Sequence, residues 1–118
     1  MTDNKPTMDE VRAEMRRTAY QKKAVSKLSP KETLDYAVNY FKEHGYRAGL
    51  TGRPNQMFIM GGKEGILPRV TGEIKLQTDV GKGKATMVTM DSTGEKLQEV
   101  MKAFHESLRK QKPAAKAE

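Results

Sequence analysis

Residues 70–77 read Val-Thr-Gly-Glu-Ile-Lys-Leu-Gln, and the rest of the architecture can be worked out from this octet. Apolar side chains stand at Val70, Ile74 and Leu76, and mostly polar side chains stand between them. A period of two is typical of a strand with one face on a core and the other in water. The octet therefore predicts a sheet that is apolar on one side.

The region around this octet is rich in glycine and turns. Nine of the ten glycines lie between Gly45 and Gly83, and short apolar or alternating runs lie between the turns. Short connections between successive strands favour an antiparallel meander. The sequence predicts four strands, near residues 46–51, 56–60, 70–77 and 84–90.

Two amphipathic helices flank the predicted sheet. Ser29-Pro30-Lys31-Glu32 is a capping box with proline at the first helical position, and an apolar stripe at i, i+3, i+4 and i+7 follows it. Ser92-Thr93-Gly94-Glu95 has the same capping pattern and precedes a longer stripe. These signals predict helices over 30–44 and 94–109.

A weaker helix signal lies near the N-terminus. Thr7 and Glu10 fit a capping box, and Met8, Val11 and Met15 form a thin apolar stripe. The pattern predicts a helix near residues 8–23 that docks weakly or folds only on a partner.

The predicted fold is α+β: a two-layer sandwich of a four-stranded antiparallel meander with two amphipathic helices on one face, plus a loosely attached N-terminal helix. Residues 1–28 are expected to be a basic N-terminal segment, partly helical or mobile. Residues 29–109 are expected to be a single α+β domain, and 110–118 a disordered tail. The expected core side chains are Leu34, Val38, Phe41, Leu50, Phe58 or Ile59, Val70, Ile74, Leu76, Met87 or Val88, Leu97, Met101 and Phe104.

Composition limits the class of protein. The 118 residues suffice for one small core, and cysteine is absent, which excludes disulfides and thiolate chemistry. No run is long and apolar enough for a membrane span, and the first residues lack the apolar stretch of a secretory signal. We expect a cytoplasmic protein.

No pattern of catalytic or metal-ligating residues emerges. His44 and His105 have no second ligand at metal spacing, and the carboxylates of the sheet region are sparse. The glycine-rich stretches 61–65 and 81–84 match no phosphate-binding motif and are interpreted as turns. We therefore expect no enzyme activity, no metal and no cofactor.

The positive charge indicates a partner. The formal net charge is +7, and residues 12–27 hold six bases opposed only by Glu14. Such a run binds polyanions through phosphate-type contacts, although it is also typical of a solvated flank that keeps a small protein soluble. The sequence predicts a small basic binding module that contacts an anionic partner, nucleic acid or another polyanion, through the N-terminal segment and the sheet face. The candidate contact residues are Arg12, Arg16, Arg17, Lys22, Lys23, Lys27, Arg47, Lys75, Lys82 and Lys84.

An alternative function follows from the methionines. Met57 and Met60, and again Met87 and Met90, are three apart on predicted strands, so one of each pair faces away from the helices. Such a face suits a protein partner or a second copy of the chain, whereas apolar residues on both faces of a strand more often indicate core filling and packing under the first helix. The alternative is a protein-interaction or self-association module, such as a homodimer, that uses this Met-bearing sheet face.

Overall fold

The computed structural model describes residues 7–80 and 85–111, which form an α+β fold with an antiparallel sheet. The elements in chain order are α1 (Met8–Arg17), β1 (Tyr20–Ser26), α2 (Pro30–Glu43), β2 (Arg47–Leu50), β3 (Gln56–Gly61), β4 (Val70–Val80), β5 (Ala85–Ser92) and α3 (Glu95–Arg109). In spatial order the strands run β1-β5-β4-β3-β2. Lys82, Lys84 and the part of the predicted tail from residue 112 lie outside the described residues.

The sheet has five strands among these residues, so the prediction of four was wrong. The additional strand is β1, which pairs antiparallel with β5 along its whole length, from Tyr20 opposite Ser92 to Ser26 opposite Thr86. The sequence placed residues 18–23 in the first helix, whereas that helix ends at Arg17. β1 lies at the edge of the sheet and buries only Ser26, so it has no apolar alternation to identify it.

Both long helices lie on the same side of the sheet. α2 packs against β2 and β3, α3 packs against β1 and β5, and the two helices touch each other. The centre of the core is aromatic: Phe41 and Phe104 are fully buried with ring centroids 5.2 Å apart. The hydroxyl groups of Tyr36 and Ser107 join the two helices by a hydrogen bond.

The connection from β1 to α2 is held by a buried hydroxyl pair. Ser26 Oγ and Thr33 Oγ1 are 2.8 Å apart, and Ser26 Oγ also accepts a hydrogen bond from the Leu28 backbone N–H. The predicted capping box at Ser29 and Glu32 is present, with both reciprocal hydrogen bonds formed. α2 therefore starts from a fixed point and carries the chain from one edge of the sheet to the other.

The start of α3 differs from the prediction. Ser92 belongs to β5, and Gly94 is the N-cap residue, with φ of 109° and no side-chain cap. Side chains that are distant in sequence satisfy the backbone instead: Gly94 N–H donates to Thr18 Oγ1, and Lys96 N–H donates to Glu64 Oε1. The strand extends through Ser92, so that residue cannot also begin a helix.

Burial confirms most of the predicted core and corrects one position. Between the alternatives, Ile59 and Val88 are buried, and Phe58 and Met87 lie on the other face. Leu50 was expected to be buried, but it is 61% exposed because it is the last residue of the short edge strand β2.

Candidate functional site

Three of the predicted contact residues lie on α1, and they differ in availability. Arg12 is exposed, with Nη1 3.8 Å from Asp9 Oδ1. Arg16 is exposed and has no ion pair with any described residue. Arg17 forms two ion pairs: its Nη2 lies 2.7 Å from Glu14 Oε2 and 3.1 Å from Glu95 Oε1.

These bonds give Arg17 a structural role. They lower the pKa of the Glu14 carboxyl, mainly through the hydrogen bond from Arg17, and they raise the pKa of Arg17. Together with the bond from Gly94 N–H to Thr18 Oγ1, they fix the end of α1 at the start of α3. Arg17 therefore contributes to the attachment of α1, and an anionic partner would compete with the Glu14 and Glu95 carboxylates for its guanidinium group.

The lysines of β1 face opposite sides of the sheet. Lys22 is opposite Met90, which is buried under the helices, so Lys22 lies on the helix side. Lys23 is opposite Thr89 on the uncovered side, and Lys27 follows the end of the strand. All three lysines are exposed, and no described carboxylate is within ion-pair distance of them. We call Arg12, Arg16, Lys22, Lys23 and Lys27 the basic border.

On the helix side of the sheet, the charge of Lys22 affects the pKa of His105. The pKa of His105, on α3, is lowered, first by burial and next by the charge of Lys22. Glu106 acts on it in the opposite direction, and Arg109 in the same direction as Lys22. This interaction places the Lys22 ammonium group close to α3.

The side of the sheet away from α2 and α3 is uncovered in the described chain, and we call it the open face. The registers place its residues in rows across the strands, such as Lys23, Thr89, Lys75 and Gln56. None of the residues on this face is buried. They are Gln21, Lys23 and Val25 on β1; Met87, Thr89 and Asp91 on β5; Thr71, Glu73, Lys75 and Gln77 on β4; Gln56, Phe58 and Met60 on β3; and Arg47 and Gly49 on β2.

The open face has mixed charge, unlike the basic surface that was expected. Lys75 is 3.0 Å from Glu73 Oε2, and Glu73 is directly opposite Asp91 in the register. Arg47 and Lys23 are on opposite edge strands, so four strand spacings, about 19 Å, separate them. Among the described residues, Arg47 and Lys23 are therefore too far apart to share one anion-binding spot.

Apolar side chains also reach the open face. Val25 is 53% exposed, and Phe58, Met60 and Met87 are half-buried there, while Met57 and Met90 are fully buried on the helix side. Each methionine pair is thus divided between the two faces, as the spacing predicted. Val25 is directly opposite Met87, which puts two neighbouring apolar side chains at the β1 edge.

The backbone of β1 has a free edge. In an antiparallel ladder, the N–H and C=O of one residue point to the same neighbour, and successive residues alternate. Thr93 N–H donates to Thr71 C=O, so β5 turns residues 91, 89 and 87 toward β4 and residues 90 and 88 toward β1. Lys22 and Ala24, opposite residues 90 and 88, therefore turn toward β5. The backbone groups of Gln21, Lys23 and Val25 point away from the sheet, and no described residue hydrogen-bonds to them.

A second group of cations lies near β2, the edge strand opposite β1. Arg47 and Arg69 line an open cleft of about 370 Å³ with Gly45, Gly61 and Gly62. Both arginines are exposed and unpaired within the described chain. Arg69 is not among the predicted contact residues. Two pairings together bring it near Arg47: Arg47 is opposite Met60, and Gly61 is opposite Val70, the residue that follows Arg69.

Within 7–80 and 85–111, no three side chains of the metal-ligating types gather closely enough to hold an ion. None of the helices in that part of the chain is long and apolar enough to cross a membrane. No family model, curated protein or solved structure matches this chain.

Proposed function

We propose that this protein is a small non-catalytic binding module that holds an anionic partner along the basic border. The observation that supports this function is the exposure of four cations that form no ion pair with a described residue: Arg16, Lys22, Lys23 and Lys27. Arg16 lies on α1, Lys22 and Lys23 lie on β1, and Lys27 directly follows β1. Exposed and unpaired cations attract a polyanion and release its counterions on contact.

The open face contributes to this function only near β1. The carboxylates of Glu73 and Asp91 are adjacent in the centre of the face, and Lys75 is already paired with Glu73. An anionic partner that covered the centre would meet those carboxylates and lose affinity through like-charge repulsion. We therefore confine the proposed contact to α1, β1 and the adjoining Lys27.

Protein interaction through the open face is the second candidate. It is favoured by the apolar side chains Val25, Phe58, Met60 and Met87, which reach that face without being covered. Methionine and aromatic side chains are enriched at protein interfaces. The two functions predict different effects of salt on binding affinity. Salt weakens contacts with an exposed basic border by screening the charges, whereas it does not screen the burial of apolar side chains.

The test is a salt titration of binding to three polyanions: duplex DNA, single-stranded RNA and polyglutamate. The variant replaces the four unpaired cations of the border with alanine. We expect its affinity for nucleic acid to fall, and the slope of log affinity against log salt to decrease by up to about 4 units, one for each cation that touches a phosphate. The matched control removes four other exposed, unpaired cations, Lys42, Arg53, Lys63 and Arg69.

The control keeps the same net charge as the variant, so it separates the border from the overall charge. If the border variant and the control lose the same amount of affinity, a binding site at the basic border is contradicted, and the loss is explained by the change in net charge alone. No binding of any polyanion at low salt would overturn the proposed function. In that case, a sedimentation mass of twice 13.3 kDa that does not change with salt would favour the second candidate.

A further inference from the structure

We propose that the free edge of β1 takes up an extended acidic segment of another polypeptide as a sixth strand of the sheet. This inference rests on the proposed function and specifies its partner. It is carried by two independent features of the same seven residues, Tyr20–Ser26. One feature is the outward-pointing backbone, and the other is the unpaired lysine charge beside it.

The backbone supplies the binding groups. The N–H and C=O groups of Gln21, Lys23 and Val25 point away from β5, which gives an incoming strand three donors and three acceptors at regular spacing. The pairing register between β1 and β5 is regular, since the seven residue pairs follow one another without a bulge. No strand within residues 7–80 and 85–111 pairs with this edge, and an unpaired edge of this length is the kind of surface to which an extended peptide adds.

The lysines determine which peptide adds. Lys23 projects on the open face and Lys22 on the helix side, so an added strand meets one positive charge on each of its faces. Opposite charges directly across two strands stabilise the pairing, and like charges destabilise it. In a pair of β1 strands centred on Lys23, each Lys23 would be opposite its own copy. This repulsion disfavours a second copy of this chain and favours an acidic strand.

Val25 adds a third determinant. Its exposed side chain lies two residues beyond Lys23 on the same face, next to Met87. A strand that adds antiparallel therefore fits best with the order apolar, any residue, acidic, acidic. The two acidic residues are consecutive because Lys22 and Lys23 are consecutive and project to opposite faces.

The probe is the synthetic peptide Thr-Val-Thr-Glu-Glu-Thr-Thr, capped at both ends, and the protein is the full chain. The variant is Val25→Pro, which removes an outward N–H but no lysine and no bond to β5. Proline is tolerated at such an edge position. We expect the variant to bind the peptide about tenfold more weakly than wild type, since one hydrogen bond is lost and the proline ring obstructs the strand. The matched control Val25→Thr keeps the N–H and is expected to bind within about twofold.

Amide exchange in the wild-type protein gives a second measurement that needs no variant. We expect the amides of Gln21, Lys23 and Val25 to exchange rapidly in the free protein and to become protected when the peptide binds. The amides of Lys22 and Ala24 are expected to be protected in both states, because they already bond to β5. Outward amides that are protected in the free protein would show that the edge is occupied, and the proposal would fail.

The outcomes separate this inference from the proposed function. If Val25→Pro and wild type bind the peptide equally, or the outward amides gain no protection, strand addition is overturned while a charge-only border survives. If the alanine variant of the four border cations binds every anion as wild type does, the proposed function itself fails. Duplex DNA or RNA that binds more tightly than the peptide, with no loss in Val25→Pro, would identify nucleic acid as the partner instead.

Discussion

Glycines in this chain differ in their backbone φ angle and in the space available for a Cβ atom. Gly94 has φ of 109°, and a Cβ placed there would be 2.4 Å from a methyl carbon of Val70. Gly45 has φ of 89° at the end of α2, but nothing lies within 4 Å of a Cβ placed there. Gly62 has neither a positive φ nor a close neighbour. The three positions therefore separate backbone strain from steric overlap.

Alanine substitution at these glycines is expected to give a graded loss of stability. Gly62→Ala should be nearly neutral, and Gly45→Ala should lower the free energy of unfolding by about 1–2 kcal/mol through backbone strain. Gly94→Ala should cost about 3 kcal/mol or more, because overlap with Val70 adds to the same strain. Urea denaturation of the three variants provides the measurement. A loss at Gly94 no larger than that at Gly45 would mean that Val70 moves aside at little cost.

At the scale of the element, local signals determined how much the sequence could predict. The helix expected over 30–44 is observed at Pro30–Glu43, because its cap residues and its apolar stripe are contiguous in sequence. β1 was missed because its stabilising partners, the residues of β5, are remote and its own side chains are mostly polar. The same error hid the division of Lys22 and Lys23 between two faces, and it hid the pairing of Arg17 with Glu95. The exposure of the border lysines, by contrast, follows from their chemistry alone.

The face assignment of β1 can be tested through His105. Removing Lys22 is expected to raise the pKa of His105, because the positive charge of Lys22 disfavours the protonated imidazole. Lys23→Ala removes an equal charge one residue away, on the opposite face, and should leave that pKa nearly unchanged. Nuclear magnetic resonance titration of the His105 ring protons measures both. Equal shifts in the two variants would contradict the placement of the two lysines on opposite faces.

The lowered pKa of His105 also fixes the sign of a pH effect. The folded state disfavours the protonated ring, so the unfolded chain binds more protons as the pH falls through the ordinary histidine value of 6.5. The free energy of unfolding should therefore decrease over that range and level off below the lowered pKa. Lys22→Ala should make the decrease smaller.

At the scale of the whole molecule, β1 connects the N-terminal segment to the sheet. The sequence placed a boundary between residues 28 and 29, yet β1 pairs with β5 and Leu28 is buried in the core. α1, by contrast, contributes no buried residue and is fixed mainly at its end. The two elements of the segment therefore differ in how much they contribute to the stability of the domain.

Two truncated chains should distinguish these contributions. A chain that begins at Thr18 keeps β1 and the acceptor for Gly94 N–H, so we expect it to fold with a cooperative unfolding transition. A chain that begins at Ser29 loses β1, leaves Thr33 without Ser26 and exposes the edge of β5. We expect it to aggregate or to lack a cooperative transition in thermal denaturation. Cooperative unfolding of both chains would show that residues 29–118 are sufficient for the fold.

The pairing of the first strand with the last strand has a consequence during synthesis. β1 leaves the ribosome before every other strand, yet Tyr20 has no partner until Ser92 has been made. Contacts this distant in sequence form slowly, and a strand that waits for them is exposed to aggregation. Because charged residues within a strand oppose aggregation, we expect Lys22 and Lys23, in the middle of β1, to keep the nascent strand soluble until β5 has been made. On this expectation, the charge proposed for partner binding also protects the chain while it is being made.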